Sequence, residues 1–275
     1  MTELGQNLRR IDNSEQLREL TRGWVENIAV RSTYNRHYDS GRKRQYGGTA
    51  LVIGSQLSSR LAGSDIDPTG LGRWSSTLIQ GKIGYKTRVI SAYRPCLGTS
   101  EGSVNIQHHL FFADPSVDPR TQFLIDLADQ ICAWQDQGEQ IILTGDMNTG
   151  DLTSERSMDR FWEQFLSRTG LVDAHKKHLN CSWLPNTHNR GRTQIDFIFI
   201  SPTIKIKRAG FLPFEKIPSD HRGIWIDIDT SSITGSNPPI PTSCKARRLK
   251  LVDPRTVSKY QESLLKAVTD GNLIQ

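Results

Sequence analysis

Three apolar segments, each carrying acidic or histidine chemistry at or beside its end, constrain what this chain can fold into. Ile141-Ile142-Leu143-Thr144-Gly145-Asp146-Met147-Asn148 runs three aliphatic residues into a glycine, an acid and an amide. The pattern predicts a buried strand ending in a tight turn that presents polar groups at a sheet edge. Gln194-Ile195-Asp196-Phe197-Ile198-Phe199-Ile200-Ser201 holds one acid inside a β-rich run, and Ser219-Asp220-His221 stands directly before the apolar Gly223–Ile228 segment. Strands built this way can bring their acids and histidine together, in the kind of place where active sites sit.

At 275 residues and 36% hydrophobic, the chain has enough apolar material for one core plus a tail. No run approaches the roughly 18 apolar residues of a membrane span, and the N-terminus lacks the apolar stretch of a signal peptide. Cys96, Cys132, Cys181 and Cys244 form no CxxC pair, which points away from a zinc ribbon or a disulfide framework and toward a reducing, intracellular setting. His175, His178 and Cys181 are spaced for metal binding but lack a fourth ligand. The net charge is +6, of which residues 245–275 supply +4 through seven Lys/Arg against three Asp/Glu. The basic character belongs mostly to the tail.

Leu17, Leu20, Trp24 and Ile28 are spaced for one helical face, residues 34–45 read as a loop or hairpin, and Gly47–Gly54 reads as a short core strand. Residues 55–71 read as a connection, followed by a strand pair over Trp74–Gln80 and Thr87–Tyr93. Gly98–Pro119 is polar and loop-like. The helix over Arg120–Asp136 is the most regular, with Phe123, Leu124, Leu127, Ala128, Ile131 and Trp134 at helical spacing. A second helix is expected over about Ser154–Arg168, then a His- and Asn-rich connection to Arg192. The domain is expected over 1–229, a linker over 230–244, and a basic helical extension over 245–275. Without strict βαβ alternation, the sheets are expected to be mixed and largely antiparallel.

Gly145-Asp146-Met147-Asn148, Ile195-Asp196-Phe197-Ile198 and Ser219-Asp220-His221, in that order behind Ser91-Ala92-Tyr93-Arg94-Pro95, resemble the endonuclease/exonuclease/phosphatase superfamily. The resemblance implies a two-sheet α/β sandwich with flanking helices and metal-dependent hydrolysis of phosphodiesters or phosphomonoesters. Gly47-Gly48-Thr49, Asp118-Pro119-Arg120 and the Arg247–Arg255 extension look most like the endonuclease domain of non-LTR retrotransposons. That narrower likeness implies DNA nicking, a nuclear setting and a downstream reverse transcriptase region absent from this chain. The family opens with a strand bearing an Asn and a second strand ending in a metal-ligating Glu, so the likeness also implies an N-terminal truncation. Glu3 is then the matching Glu.

By the same resemblance, Asp146 orients or deprotonates the attacking water, Asn148 hydrogen-bonds the phosphate or the water, Tyr93 hydrogen-bonds the phosphate, and Asp220 positions metal or phosphate. Asp196 pairs with His221, while Arg94 and Arg192 sit where they could contact phosphates. A hard cation, Mg²⁺ or Mn²⁺, suits Asp220 and Glu3 as oxygen donors. Singly, each motif has a plainer reading: a Gly-Asp-x-Asn turn can satisfy its own backbone, and a lone His is commonly a surface residue. An acid inside an apolar strand is harder to dismiss, since an unpaired buried carboxylate is expensive and Asp196 needs a partner. Two other functional readings stand beside the nuclease: a phosphoesterase of the same fold acting on another substrate, and an inactive truncated remnant that at most binds nucleic acid.

Overall fold

The apolar runs fold into neighbouring strands, and period-two alternation decides which face each residue serves. The structure, a computed structural model, describes residues 19, 27–37, 47–98, 103–149, 160–181, 183–235 and 253–270. Strands β1 (Ala29–Thr33) and β2 (Thr49–Ile53) pair antiparallel. A six-stranded sheet follows, built from β3 (Leu61–Ile66), β4 (Trp74–Gln80), β5 (Lys86–Tyr93), β6 (Gln140–Asp146), β7 (Val172–Asp173) and β8 (Asp196–Ile200). Its order is β3-β4-β5-β6-β8-β7, with β5 and β6 parallel and every other pair antiparallel. A third sheet pairs β9 (Ile206–Phe211) with β10 (Ile224–Ile228).

The parallel β5–β6 step needs a crossover, and α1 (Val104–Phe112) and α2 (Pro119–Asp136) supply it. Asp118 caps α2 by accepting from the Arg120 and Thr121 N–H groups, Pro119 occupies its first turn, and Gly138 takes φ +77° just beyond it. Phe123, Leu127, Ile131 and Trp134 of α2, with Trp162 and Phe165 of α3 (Arg160–Thr169), pack on Trp74, Ile90, Ile141, Leu143, Phe197 and Phe199. The intervening residues Ile142, Ile198 and Ile200 face the other way and meet Ile224, Ile226 and Ile228 of β10, with Ala174 of α4 (Ala174–Leu179). The large sheet is thus covered on both faces, which is why β8 reads as an unbroken apolar run.

Several expectations change. The 55–71 connection contains β3, whose Leu-Ala-Gly-Ser-Asp-Ile sequence has little strand propensity and forms because β4 pairs with it. The Gly98–Pro119 stretch contains α1, capped by the Ser103 side chain at the Ile106 N–H. Residues 230–235, expected as linker, form α5 (Thr230–Thr234), which buries Ile233 and accepts a hydrogen bond from Thr87 Oγ1 at the Ile233 carbonyl. The folded unit therefore runs past 229. Most of the helix expected before Glu26, the start of the helix expected from Ser154, and residues 236–252 lie outside the described residues. Residues 238–275 form a separate unit, whose α6 (Pro254–Asp270) is capped by Asp253 and exposes Tyr260, Leu264 and Leu265. Among the described residues, no helix is long and apolar enough to cross a membrane.

Candidate active site

Strand register assembles the site. Tyr93 stands opposite Asp146 across the parallel β5–β6 pair, and Asp146 stands opposite Asp196 across the antiparallel β6–β8 pair. Paired residues share a face, so these three lie in a row at the ends of adjacent strands. Their face is the one that Ile142 and Ile198 share, toward β10, and His221 lies just before β10. One residue earlier, Gly145 makes the approach possible: a Cβ built there would sit 1.8 Å from the Ala92 carbonyl oxygen, so only glycine fits.

Beyond Asp146 the chain turns sharply. The Asn148 N–H donates to Asp146 Oδ1 at 2.8 Å, and Asn148 adopts φ +47°, a left-handed conformation that asparagine tolerates. Asn148 Nδ2 donates to the Arg94 carbonyl at 2.7 Å, which fixes the amide and leaves its Oδ1 as the acceptor to face a ligand. The Arg120 guanidinium braces this turn, donating to the Asn148 carbonyl at 2.7 Å and to the Pro95 carbonyl. The self-satisfying turn and the functional turn are therefore the same structure.

His221 Nδ1 lies 2.8 Å from Asp196 Oδ2, the pairing that the acid within the apolar strand required. The hydrogen bond to Asp196 raises the His221 pKa above its usual value against the opposing effect of burial, with the Asp196, Asp146 and Asp220 charges adding to it. Burial pushes the Asp146 carboxyl up to about 7, and the Asp196 charge pushes it further in the same direction. Thr187, wholly buried, fixes the start of β8 by accepting from the Ile195 and Asp196 N–H groups at 2.9 and 3.0 Å.

The other expected site residues separate. Tyr93 is buried at the end of β5 beside Asp146. Arg94 turns inward rather than toward phosphate: it is 1% exposed and its Nε donates to the Arg120 carbonyl, so it braces the protein from within. Arg192 is exposed on the turn that precedes β8. Asp220 groups with His188 and His221 rather than with Asp146, its side chain 64% exposed and 3.4 Å from His188 Nε2. Glu3 lies outside the described residues. Thr187 and His188 were not picked out as site residues, because a threonine and a histidine in a loop carry no local signal, and Arg120 was read only as part of the Asp118-Pro119-Arg120 likeness and not as a brace of the Asn148 turn.

Asp146, Asp196 and His221 offer ligand atoms all within 4.8 Å of one another. The two carboxylates suit a hard divalent cation, and the raised Asp146 pKa marks a buried acid whose demand for positive charge His221 does not meet. His175, His178 and Cys181 form no such group among the described residues.

Acids and an acid-held histidine at strand ends of a two-faced α/β core fit a hydrolase of the α/β class. The chain belongs to the endonuclease/exonuclease/phosphatase family, which residues 9–221 match. The family's enzymes depend on divalent metal and act as nucleases or phosphatases. None of the curated proteins matches the sequence. Among solved structures, the human Nocturnin catalytic domain with bound sulfate is similar at TM-score 0.54 and 18% identity, over 82% of this chain and 78% of that one. The Xenopus laevis APE2 catalytic domain is similar at 0.54 and 19%, over 80% and 87%. The 3′ phosphatase NExo from Neisseria, bound to a product DNA hairpin, is similar at 0.50 and 17%, over 81% and 95%.

Proposed function

We propose that this chain hydrolyses DNA phosphodiesters by nicking, as the endonuclease domain of a retrotransposon-type protein. The observation that carries the reading is Asp196 holding His221 beside Asp146, the two acids facing each other across the β6–β8 pair. Asp146, with Asp196 and His221 nearby, would hold a Mg²⁺ or Mn²⁺, which would supply charge neutralisation at the phosphoryl oxygens. Asp146 orients water in line with the leaving oxygen; as water attacks phosphorus and the P–O bond breaks, the water's proton passes to Asp146 and the leaving alkoxide takes a proton from solvent.

His221 as imidazolium donates Nε2–H to a non-bridging oxygen while Asp196 fixes the ring through Nδ1. Asn148 Oδ1 holds the attacking water, the Tyr93 hydroxyl donates to the phosphate, and Arg192 contacts a neighbouring phosphate. The DNA hairpin in the Neisseria relative and the basic α6 residues Arg255, Lys259 and Lys266 support nucleic acid as the substrate.

The test is nicking of supercoiled plasmid with Mg²⁺, against EDTA and an Asp146→Ala/His221→Ala double variant. Nicking that needs Mg²⁺ and is lost in the variant supports the reading. A folded chain that leaves plasmid intact but hydrolyses a non-nucleotide phosphoester refutes the DNA assignment.

A further inference from the structure

The turn between α4 and β8 is clamped to the segment carrying Asp220 and His221. His188 and His221 form an isolated antiparallel bridge. The Asn189 N–H donates to the Asp220 carbonyl at 2.8 Å, and the Arg222 N–H to the Thr187 carbonyl at 2.9 Å. Asn186 closes the turn from within, its Nδ2 donating to the carbonyls of His188 and Gly191 at 2.8 and 2.9 Å. His188 is therefore fixed at its backbone. Its ring stands across the His221 ring, centroids 5.0 Å apart and planes at 81°, and its Nε2 lies 3.4 Å from Asp220 Oδ2.

His188, Asp220 and His221 are close enough together to suggest a second cation site. Hydrogen bonding assigns His188 a different part. Its Nδ1 accepts the Arg190 N–H at 3.1 Å, and a neutral imidazole accepting at Nδ1 carries its proton on Nε2. A protonated Nε2 has no lone pair for a metal. The charged group nearest to it is the Asp220 carboxylate, with Oδ2 3.4 Å away, at ion-pair distance. With its side chain 64% exposed, Asp220 would otherwise sample many orientations.

We propose that His188 is a positioning residue of this site, its Nε2–H holding the Asp220 carboxylate and its ring limiting rotation of the His221 imidazole. The inference rests on the phosphodiesterase reading above. It departs from the expected use of Asp220 as a metal ligand: Asp220 is held by a hydrogen-bond donor, and its charge acts on His221 through space.

The test uses the full chain as wild type and as His188→Ala, His188→Phe and His188→Gln, with two readouts. Imidazole nitrogen shifts near pH 8, without metal, should show His188 protonated at Nε2 and bare at Nδ1. The His221 nitrogen resonances should move in His188→Ala. In Mg²⁺-dependent nicking, His188→Ala and His188→Phe should lower kcat by roughly 10–100-fold with KM within about two-fold, since residues that orient a site's ligands act at that scale. His188→Gln, which keeps an N–H near the Nε2 position, should recover most of the rate. A proton found on Nδ1, unmoved His221 resonances, full activity in His188→Phe, or a glutamine variant as poor as alanine would each overturn the proposal. If wild type fails to nick, the functional reading falls, and the nitrogen shifts still decide whether His188 holds its neighbours.

Discussion

Replacing Asp146 by asparagine should abolish hydrolysis and yet stabilise the metal-free fold at alkaline pH. The Asp146 pKa rises from 3.8 unfolded to about 7 folded, chiefly through burial and then through Asp196. A raised carboxyl pKa means that the folded state keeps its proton longer than the unfolded chain. Stability is then greatest below the unfolded value and falls as pH climbs toward the folded one. A difference of about three units at 1.36 kcal/mol each corresponds to about 4 kcal/mol lost by pH 8. Asparagine carries no charge to desolvate, and its Oδ1 can still accept the Asn148 N–H that closes the turn. Part of the gain is forfeited because His221 loses a nearby negative charge, so Asp146→Asn should exceed wild type by roughly 2–4 kcal/mol at pH 8 in EDTA. Urea unfolding at pH 8 and pH 4 reads this directly, and the advantage should shrink to little at the lower pH. A variant no more stable than wild type at pH 8 would refute the account of a buried, proton-starved acid.

His108 should act in the opposite sense: it is 1% exposed on α1 with neither ring nitrogen hydrogen-bonded, and burial together with the Arg73 charge lowers its pKa from 6.5 to about 3. The unfolded chain takes up that proton first, so about 2 kcal/mol of stability is lost between pH 8 and pH 5, and His108→Leu should lose that part of the pH slope in urea melts. Asp196→Asn should lower the His221 pKa, visible in its ring-proton titration, and reduce kcat by about 100-fold or more in the nicking assay. Gly145→Ala should force β5 and β6 apart at the Ala92 carbonyl, lowering stability by about 3 kcal/mol or more in thermal melts and removing activity with it.

Legibility in the sequence followed the range of the forces involved. The strands β6, β8 and β10 and the helix α2 announce themselves because burial imposes a period or an unbroken apolar run on consecutive residues. Asp146, Asn148, Asp196 and His221 were picked out because each stands beside such a run, and the structure places Asp146, Asp196 and His221 within reach of one another. By contrast, β3 depends on pairing with β4, and β9, with Lys207, Arg208 and Gly210, depends on pairing with β10. Neither carries its own signal. Arg94 was misjudged for a related reason: its position at a strand end gave its place but not its direction, and the side chain points inward.

Gly145 joins these levels. Its missing side chain lets β6 approach the Ala92 carbonyl, and that closeness sets Asp146 level with Tyr93 on one side and Asp196 on the other. Once Asp146 and Asp196 face each other, the Asp196 charge adds to burial in destabilising the charge of Asp146, and the site needs positive charge to be comfortable. His221 meets the need at Asp196, leaving Asp146 with a pKa far above that of an ordinary carboxyl. A structural requirement for close strand packing thus produces the electrostatic condition for binding a cation. The same residues that weaken the metal-free fold at alkaline pH are those that a divalent ion would stabilise, so thermal stabilisation by Mg²⁺ should increase with pH from 5 to 8 and should disappear in Asp146→Asn.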